Sequence, residues 1–207
     1  MAYVLGYFAA DGCMLKNARG AHFIKFHSVD KDLLELLKNL LGSSHKISVR
    51  KPLRSEQTLF RLQVGSKDIY YDLLRLGLTP AKSKTITFPS IPASLIPHFI
   101  RGYFDGDGHV SVSRYLRKGR NAKISRTILS GFTSGSKKFL VSLLSALKQY
   151  ANVSGGSLYE TDAYRLTFSV KDSKKLYDFL YKDVDNLYLA RKKIIFENYF
   201  NMLGPVV

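Results

Sequence analysis

Disulfides play no part in this chain, because it contains a single cysteine, Cys13. An intramolecular bridge is excluded, nothing points to an oxidising compartment, and the thiol is expected as a packing residue. No stretch approaches the roughly 20 consecutive apolar residues of a membrane helix. The chain runs straight into Tyr3-Val4-Leu5-Gly6-Tyr7-Phe8 with no basic leader before it, so a soluble, intracellular protein is expected. Proline is sparse, and Pro80, Pro89, Pro92 and Pro97 gather in one stretch where they break regular structure. Acidic residues are scarce as well: 16 Asp+Glu stand against 32 Lys+Arg.

What is present is an ordinary globular composition, 45% apolar over 207 residues, which excludes a disordered chain. The formal charge of +16 costs self-repulsion in the folded state. A polyanionic partner relieves that cost. Nucleic acid comes first, since neutralised phosphates release counterions and so supply sequence-independent affinity; a membrane surface or an acidic protein stays open on charge alone.

The sequence repeats. Leu5-Gly6-Tyr7-Phe8-Ala9-Ala10-Asp11-Gly12 is echoed by Arg101-Gly102-Tyr103-Phe104-Asp105-Gly106-Asp107-Gly108. Further on, Arg61-Leu62-Gln63-Val64-Gly65-Ser66-Lys67-Asp68 is echoed by Arg165-Leu166-Thr167-Phe168-Ser169-Val170-Lys171-Asp172. The same motifs in the same order define two copies of one unit, with 1–88 as the first repeat, 89–97 as linker and 98–207 as the second repeat. The second copy is slightly longer, and its extra residues are expected in loops around Arg114 to Arg126, the most basic window of the chain.

Each copy reads as helix, two strands, helix, two strands, helix. Tyr3 to Asp11 is the first helix, followed by strands near Cys13–Lys16 and His22–Ser28. Lys31 to Leu41 is an amphipathic helix with Leu33, Leu34, Leu37, Leu40 and Leu41 on one face, Asp30 as N-cap and Gly42 as stop. Strands near His45–Arg50 and Leu59–Gly65 complete the sheet. The second copy is expected to place helices near Lys137–Tyr150, Ser173–Tyr181 and Ala190–Met202. From Tyr164 to Lys171 apolar and polar residues alternate, so one sheet face is core and the other polar. A polar, basic sheet face backed by helices suits nucleic acid, though the same pattern also describes a merely solvated sheet.

Gly6 with Ala10 and Gly102 with Gly106 put small residues four apart, which lets the two first helices approach closely. Both helices end in Asp-Gly, with Gly12 and Gly108 suited to a left-handed cap. Asp11 and Asp107 are then expected side by side. That is electrostatically poor, because each carboxylate opposes the helix macrodipole and the two repel. A hard divalent cation held by carboxylates and carbonyl oxygens offsets the repulsion, and such ions stabilise an in-line displacement at phosphorus. One Asp-Gly is an ordinary turn signature; two at equivalent places in a basic repeat protein point to chemistry.

At these residues the sequence resembles the LAGLIDADG homing endonucleases, with Val4 to Gly12 and Ile100 to Gly108 matching the family motif. The resemblance implies an α+β fold of two pseudo-symmetric αββαββα repeats, with saddle-shaped antiparallel sheets on duplex DNA and helices on the outer face. It implies cleavage of both strands with Mg²⁺, for which Ca²⁺ or Mn²⁺ can substitute in binding or activity. Carried over, Asp11 and Asp107 with the carbonyls of Ala10 and Gly106 are metal ligands. The motif's earlier acidic position is Ala9 in one copy and Asp105 in the other. Lys67 and Lys171 are expected as basic residues beside the active site, and His27 and Thr133 as residues that orient water. His22, His45, His98 and His109 make no spaced metal set.

Expected DNA contacts in the first copy are Arg19, Lys25, Arg50, Lys51, Arg54, Arg61 and Gln63. In the second they are Arg114, Arg117, Lys118, Arg120, Lys123, Arg126, Arg165, Thr167 and Ser169. The halves differ at nearly every such position, so an asymmetric target and a monomer are expected. Competing readings are a maturase that binds intron RNA, which needs the basic face but not the metal, and a DNA-binding regulator, which has no need of the aspartates retained here. No splicing-type Cys or Ser start and no His-Asn end flanks the repeat, which argues against an intein setting.

Overall fold

A computed structural model of the chain describes residues 1–50, 57–117, 123–182 and 184–201. By backbone contacts the chain separates into two compact units, Met1–Gly106 and Asp107–Val207.

In the first unit, α1 (Ala2–Asp11) passes directly into β1 (Gly12–Lys16), followed by β2 (His22–Ser28), α2 (Lys31–Leu40), β3 (Ile47–Arg50), β4 (Leu59–Gly65) and α3 (Lys67–Arg75). Two short 3₁₀ turns, Lys82–Lys84 and Ala93–Leu95, lead into α4 (Ile96–Asp107). The second unit holds β5 (Gly108–Arg117), β6 (Lys123–Ser134), α5 (Lys137–Ala151), β7 (Ser157–Glu160), β8 (Tyr164–Phe168), α6 (Val170–Tyr181) and α7 (Ala190–Asn201). Each unit has one antiparallel four-stranded sheet, ordered β1-β2-β4-β3 in one and β5-β6-β8-β7 in the other. The fold is thus α+β in two repeated halves. No helix among the described residues is long and apolar enough to cross a membrane.

Strand alternation decides which side faces the core. Met14, Ile24, Phe26, Leu62 and Val64 are buried on the side of the first sheet that α1, α2 and α3 cover. Val112, Ile128, Phe132, Leu166 and Phe168 share the helix-covered side of the second sheet, on which α5, α6 and α7 lie. Burying each such side chain contributes roughly 1.5–3 kcal/mol. The helix starts repeat too. The Ser66 hydroxyl accepts from Ile69 N (3.2 Å) to cap α3, and Ser136 accepts from Phe139 N (3.2 Å) to cap α5. Asp30 takes the N-cap position of α2 but makes no side-chain cap bond; instead its N–H donates to the Ser28 hydroxyl (3.0 Å), as Ser136 N does to Ser134 (3.2 Å). Gly42, at φ 58°, ends α2 as expected.

Within the first unit α1 and α4 cross in contact. A Cβ added to Gly6 would overlap the Phe99 carbonyl and sit 2.9 Å from Tyr103 N; one on Gly102 would overlap the Tyr3 carbonyl, and one on Gly106 the Ala10 side chain. These glycines exist because two backbones need the room. By sequence α4 opens the second repeat, but this packing groups it with the first unit.

Several expectations need correction. Cys13 is exposed rather than a packing residue, and Leu40 at the end of α2 is exposed as well. Gly12 is not left-handed: at φ −79° and ψ 149° it is already extended and opens β1, as Gly108 opens β5. Its glycine is needed because a Cβ would strike the Phe8 ring. The last strand stops at Phe168, and Ser169 becomes the N-cap residue of α6 with Val170 and Lys171 inside the helix. Ser173 donates to the Phe168 carbonyl (3.1 Å) and Asp172 is buried, which starts the helix before the alternation ends. Finally, the extra length of the second copy lies partly in strand: β5 and β6 pair as far as Arg117↔Lys123.

Candidate active site

Asp11 is the last residue of α1 and is exposed. Gly12 N donates back to the Phe8 carbonyl, closing the helix. The carbonyl of Gly12 is taken by Lys82, which is only 6% exposed and whose ammonium also lies 5.2 Å from the centre of the Phe8 ring. Lys82 gets there from a 3₁₀ turn that follows Ala81 in the left-handed region, φ 57°. The second unit builds the same turn from different parts. Asp107 ends α4, Gly108 opens β5, and Lys192, 6% exposed in the first turn of α7, donates to the Gly108 carbonyl at 2.6 Å. A buried ammonium needs a polar partner, and a cation at a helix C-terminus offsets both the macrodipole and the carboxylate set there.

Lys82 and Lys192 were not among the expected site residues. The short basic windows Ala81-Lys82-Ser83-Lys84 and Ala190-Arg191-Lys192-Lys193 set Lys82 opposite Arg191, so their alignment does not single out the two lysines. The expected lysines, Lys67 and Lys171, stand exposed in α3 and α6. They are not the lysines that hold the two Asp-Gly turns.

The donors fit a hard cation. Among the described residues no three His, Cys, Asp or Glu side chains cluster. Each turn instead offers one carboxylate beside the carbonyls of a last helical turn. Oxygen-only donors suit Mg²⁺ or Ca²⁺. In the first unit an added Cβ on Gly106 would lie 3.1 Å from Asp11 Oδ2, so the carboxylate rests against a bare backbone.

His27 and Thr133 occupy matching places, on the face away from the helices, opposite Arg61 and Arg165 respectively. Burial, followed by the charges of Arg61, Lys25 and Arg50, holds the His27 imidazole below its ordinary pKa. Tyr7 ties α1 to this strand by donating to the His27 carbonyl (3.1 Å), and burial, then Asp11, pushes its phenol up. His109, at the first outward position of β5, leans over Gly131, and burial, then Arg165 and Lys192, lowers its pKa. Within the first unit α1 and α4 also share a buried polar knot. Tyr3 donates to Asp105 Oδ2 at 2.7 Å, and Arg101, 1% exposed, lies 5.7 Å from the Tyr3 ring with Nη2 2.8 Å from His98 Nδ1.

The expected nucleic-acid contacts divide by strand parity. Lys25, Arg50, Arg61 and Gln63 lie on the outward face of the first sheet, and Arg165 and Thr167 on that of the second. Arg19 stands exposed in the turn between β1 and β2. Arg114 and Arg126 instead share the parity of Val112 and Ile128, and the Arg126 guanidinium lies 5.9 Å from the Tyr199 ring of α7. Arg117 and Lys123 form the last pair of that hairpin. Lys51, Arg54, Lys118 and Arg120 fall outside the described residues.

Two repeats, each an antiparallel sheet of the same order and each led by a helix that ends in a lysine-braced Asp-Gly turn, define a class of two-motif α+β proteins. Residues 1–76 match a family model described as a LAGLIDADG-like domain, and residues 100–202 match one described as LAGLIDADG endonuclease. The chain belongs to the LAGLIDADG homing endonuclease family.

Among solved structures it is similar to the I-LtrWI homing endonuclease bound to target DNA, with 14% identity, TM-score 0.68, and coverage of 99% of this chain and 90% of that one. It is also similar to I-SmaMI bound to uncleaved DNA in the presence of calcium ions, with 18% identity, TM-score 0.55, and coverage of 99% and 93%. A curated relative, a probable translation initiation factor IF-2 of Methanocaldococcus jannaschii, is 27% identical over 182 residues. That match takes in 84% of this chain, which spans 13% of the length of that relative.

Proposed function

We propose that the chain is a sequence-specific endonuclease that hydrolyses both strands of a long asymmetric duplex DNA site as a monomer, with Mg²⁺. The observation that carries this reading is the twice-built turn, in which a terminal helical aspartate is followed by a glycine whose carbonyl is clamped by a buried lysine. Asp11 with the Ala10 carbonyl, and Asp107 with the Gly106 carbonyl, are the metal ligands. A divalent cation bound there supplies charge neutralisation for an in-line displacement at phosphorus.

The chain's own residues do the rest. Lys82 and Lys192 fix the glycine carbonyls, and so the direction in which each aspartate points, while placing positive charge beside the reacting phosphate. His27, neutral at physiological pH, and Thr133 hold attacking water by hydrogen bonds. Lys25, Arg50, Arg61, Gln63, Arg165 and Thr167 meet DNA on the outward sheet faces, and Arg19 meets phosphate beyond them. DNA-bound relatives of the same fold support this assignment.

The test is a randomised duplex library incubated with the protein in Mg²⁺ and in Ca²⁺, beside Asp11→Asn and Asp107→Asn. Double-strand ends at one asymmetric site in the wild-type Mg²⁺ lane, absent from both variants although they still bind that site in Ca²⁺, are the expected result. Undiminished cleavage by Asp11→Asn overturns the reading.

A further inference from the structure

The outward faces of the two sheets are chemically unlike. On the first, the neighbouring positions Lys25, His27, Arg61 and Gln63 all carry donors, and Arg61 Nε is held by the Ser48 hydroxyl at 3.2 Å, which pre-sets the guanidinium plane. On the second, the outward row of β5 runs His109, Ser111, Ser113, Tyr115, and the row opposite it on β6 runs Gly131, Leu129, Thr127, Ser125. No permanently charged side chain stands between those limits.

Leu129 lies in the middle of this row. It is 43% exposed, with Ser111 opposite and only Thr127 and Gly131 two residues away on its own strand. Small neighbours leave its methyl groups standing above the sheet. A single exposed leucine is common on protein surfaces. Here, however, it is the one aliphatic side chain in an otherwise hydroxyl-bearing stretch of a face that meets a polyanion. The outward face of the first sheet also carries Leu15, Phe23 and Leu59, but these are half-buried and stand beside Lys25 and Arg50 rather than among hydroxyls.

In the major groove only thymine presents a methyl group, and apolar side chains read it; guanine presents two acceptors that arginine reads in bidentate fashion. We propose that Leu129 is a specificity-determining residue that packs on a thymine C5 methyl, so that the half-site under the second sheet requires thymine there while Arg61 selects guanine in the other half. This rests on the DNA-cleaving reading above. It goes further in assigning opposite base chemistries to the two halves.

The experiment uses the full chain and its selected duplex in Ca²⁺, with each thymine of the second half-site replaced in turn by deoxyuridine, which removes the methyl and nothing else. At one position the wild type should lose about four-fold in affinity, as burial of one methyl implies. Leu129→Ala should bind the thymine and uracil duplexes equally, and Leu129→Met should keep most of the discrimination. Arg61→Ala should relax the guanine preference of the other half and leave the methyl effect alone. Because Leu129 is exposed, the variants should melt with the wild type. If the duplex binds but no deoxyuridine matters, or if Leu129→Ala keeps the penalty, the inference falls while the nuclease reading stands. If no duplex binds at all, both fall.

Discussion

Asp172 shows how much one buried carboxylate can organise. It accepts from Ser154 N (2.8 Å) and Gly155 N (3.0 Å), and Lys175 stands 3.4 Å away, so the loop after α5 is pinned to the start of α6. Burial by itself would raise its pKa, but the two N–H donors and Lys175 outweigh that and hold it below the usual carboxylate range. A folded-state pKa below the unfolded one means that stability is present above the unfolded value, about 3.9, and is lost as pH falls through the folded value. Asp172→Asn should therefore cost about 1–3 kcal/mol at neutral pH. The gap to wild type should narrow below pH 4 in urea titrations run at both values. His109 obeys the same sign rule, since its depressed folded pKa makes stability fall as pH drops below about 6.5. Lys82→Met, which keeps the apolar stem and removes the charge, should lower the rate of cleavage on the order of a hundredfold with little change in DNA affinity, as single-turnover kinetics beside binding isotherms would register.

At the scale of elements, the sequence was readable wherever periodicity was local. β2 and β4 run over His22–Ser28 and Leu59–Gly65, the bounds expected from alternation, because every second residue faces one packed core. The start of α6 was not readable, because Tyr164 to Lys171 keeps alternating past the point where Asp172 and Ser173 bind the backbone and begin a helix. Lys82 and Lys192 escaped for a related reason: the bonds that define them join residues far apart in the chain, and a lysine beside a loop carries no local mark. The paired glycines of α1 and α4 were legible in kind, since small residues four apart mean close approach. Gly102→Ala would drive a methyl into a backbone carbonyl, and should cost roughly 1–3 kcal/mol or more. At Gly65, by comparison, the nearest atom to an added Cβ is 3.5 Å away, so Gly65→Ala should be mild in the same thermal melts. Ser136→Ala removes the α5 cap and should cost about 1 kcal/mol.

For the whole molecule the governing number is +16. DNA affinity should fall by roughly 10³–10⁵ between 50 and 200 mM salt if six to ten phosphates are met. Removing Arg19, for which a phosphate contact is proposed above, should reduce the slope of log affinity against log salt by about one, a change that fluorescence anisotropy titrations resolve.

The unequal hairpins carry one more consequence. In the first unit β1 has 5 residues, and its turn is closed by Asn17 Oδ1, which accepts from Arg19 N and Ala21 N. In the second unit β5 has 10 residues. At about 3.4 Å per residue the second ribbon extends about 17 Å further, which is about five base steps of duplex. On the DNA-binding reading proposed above, the half-site met by the second unit should therefore be shielded from a chemical or enzymatic probe over a longer stretch than the half-site met by the first.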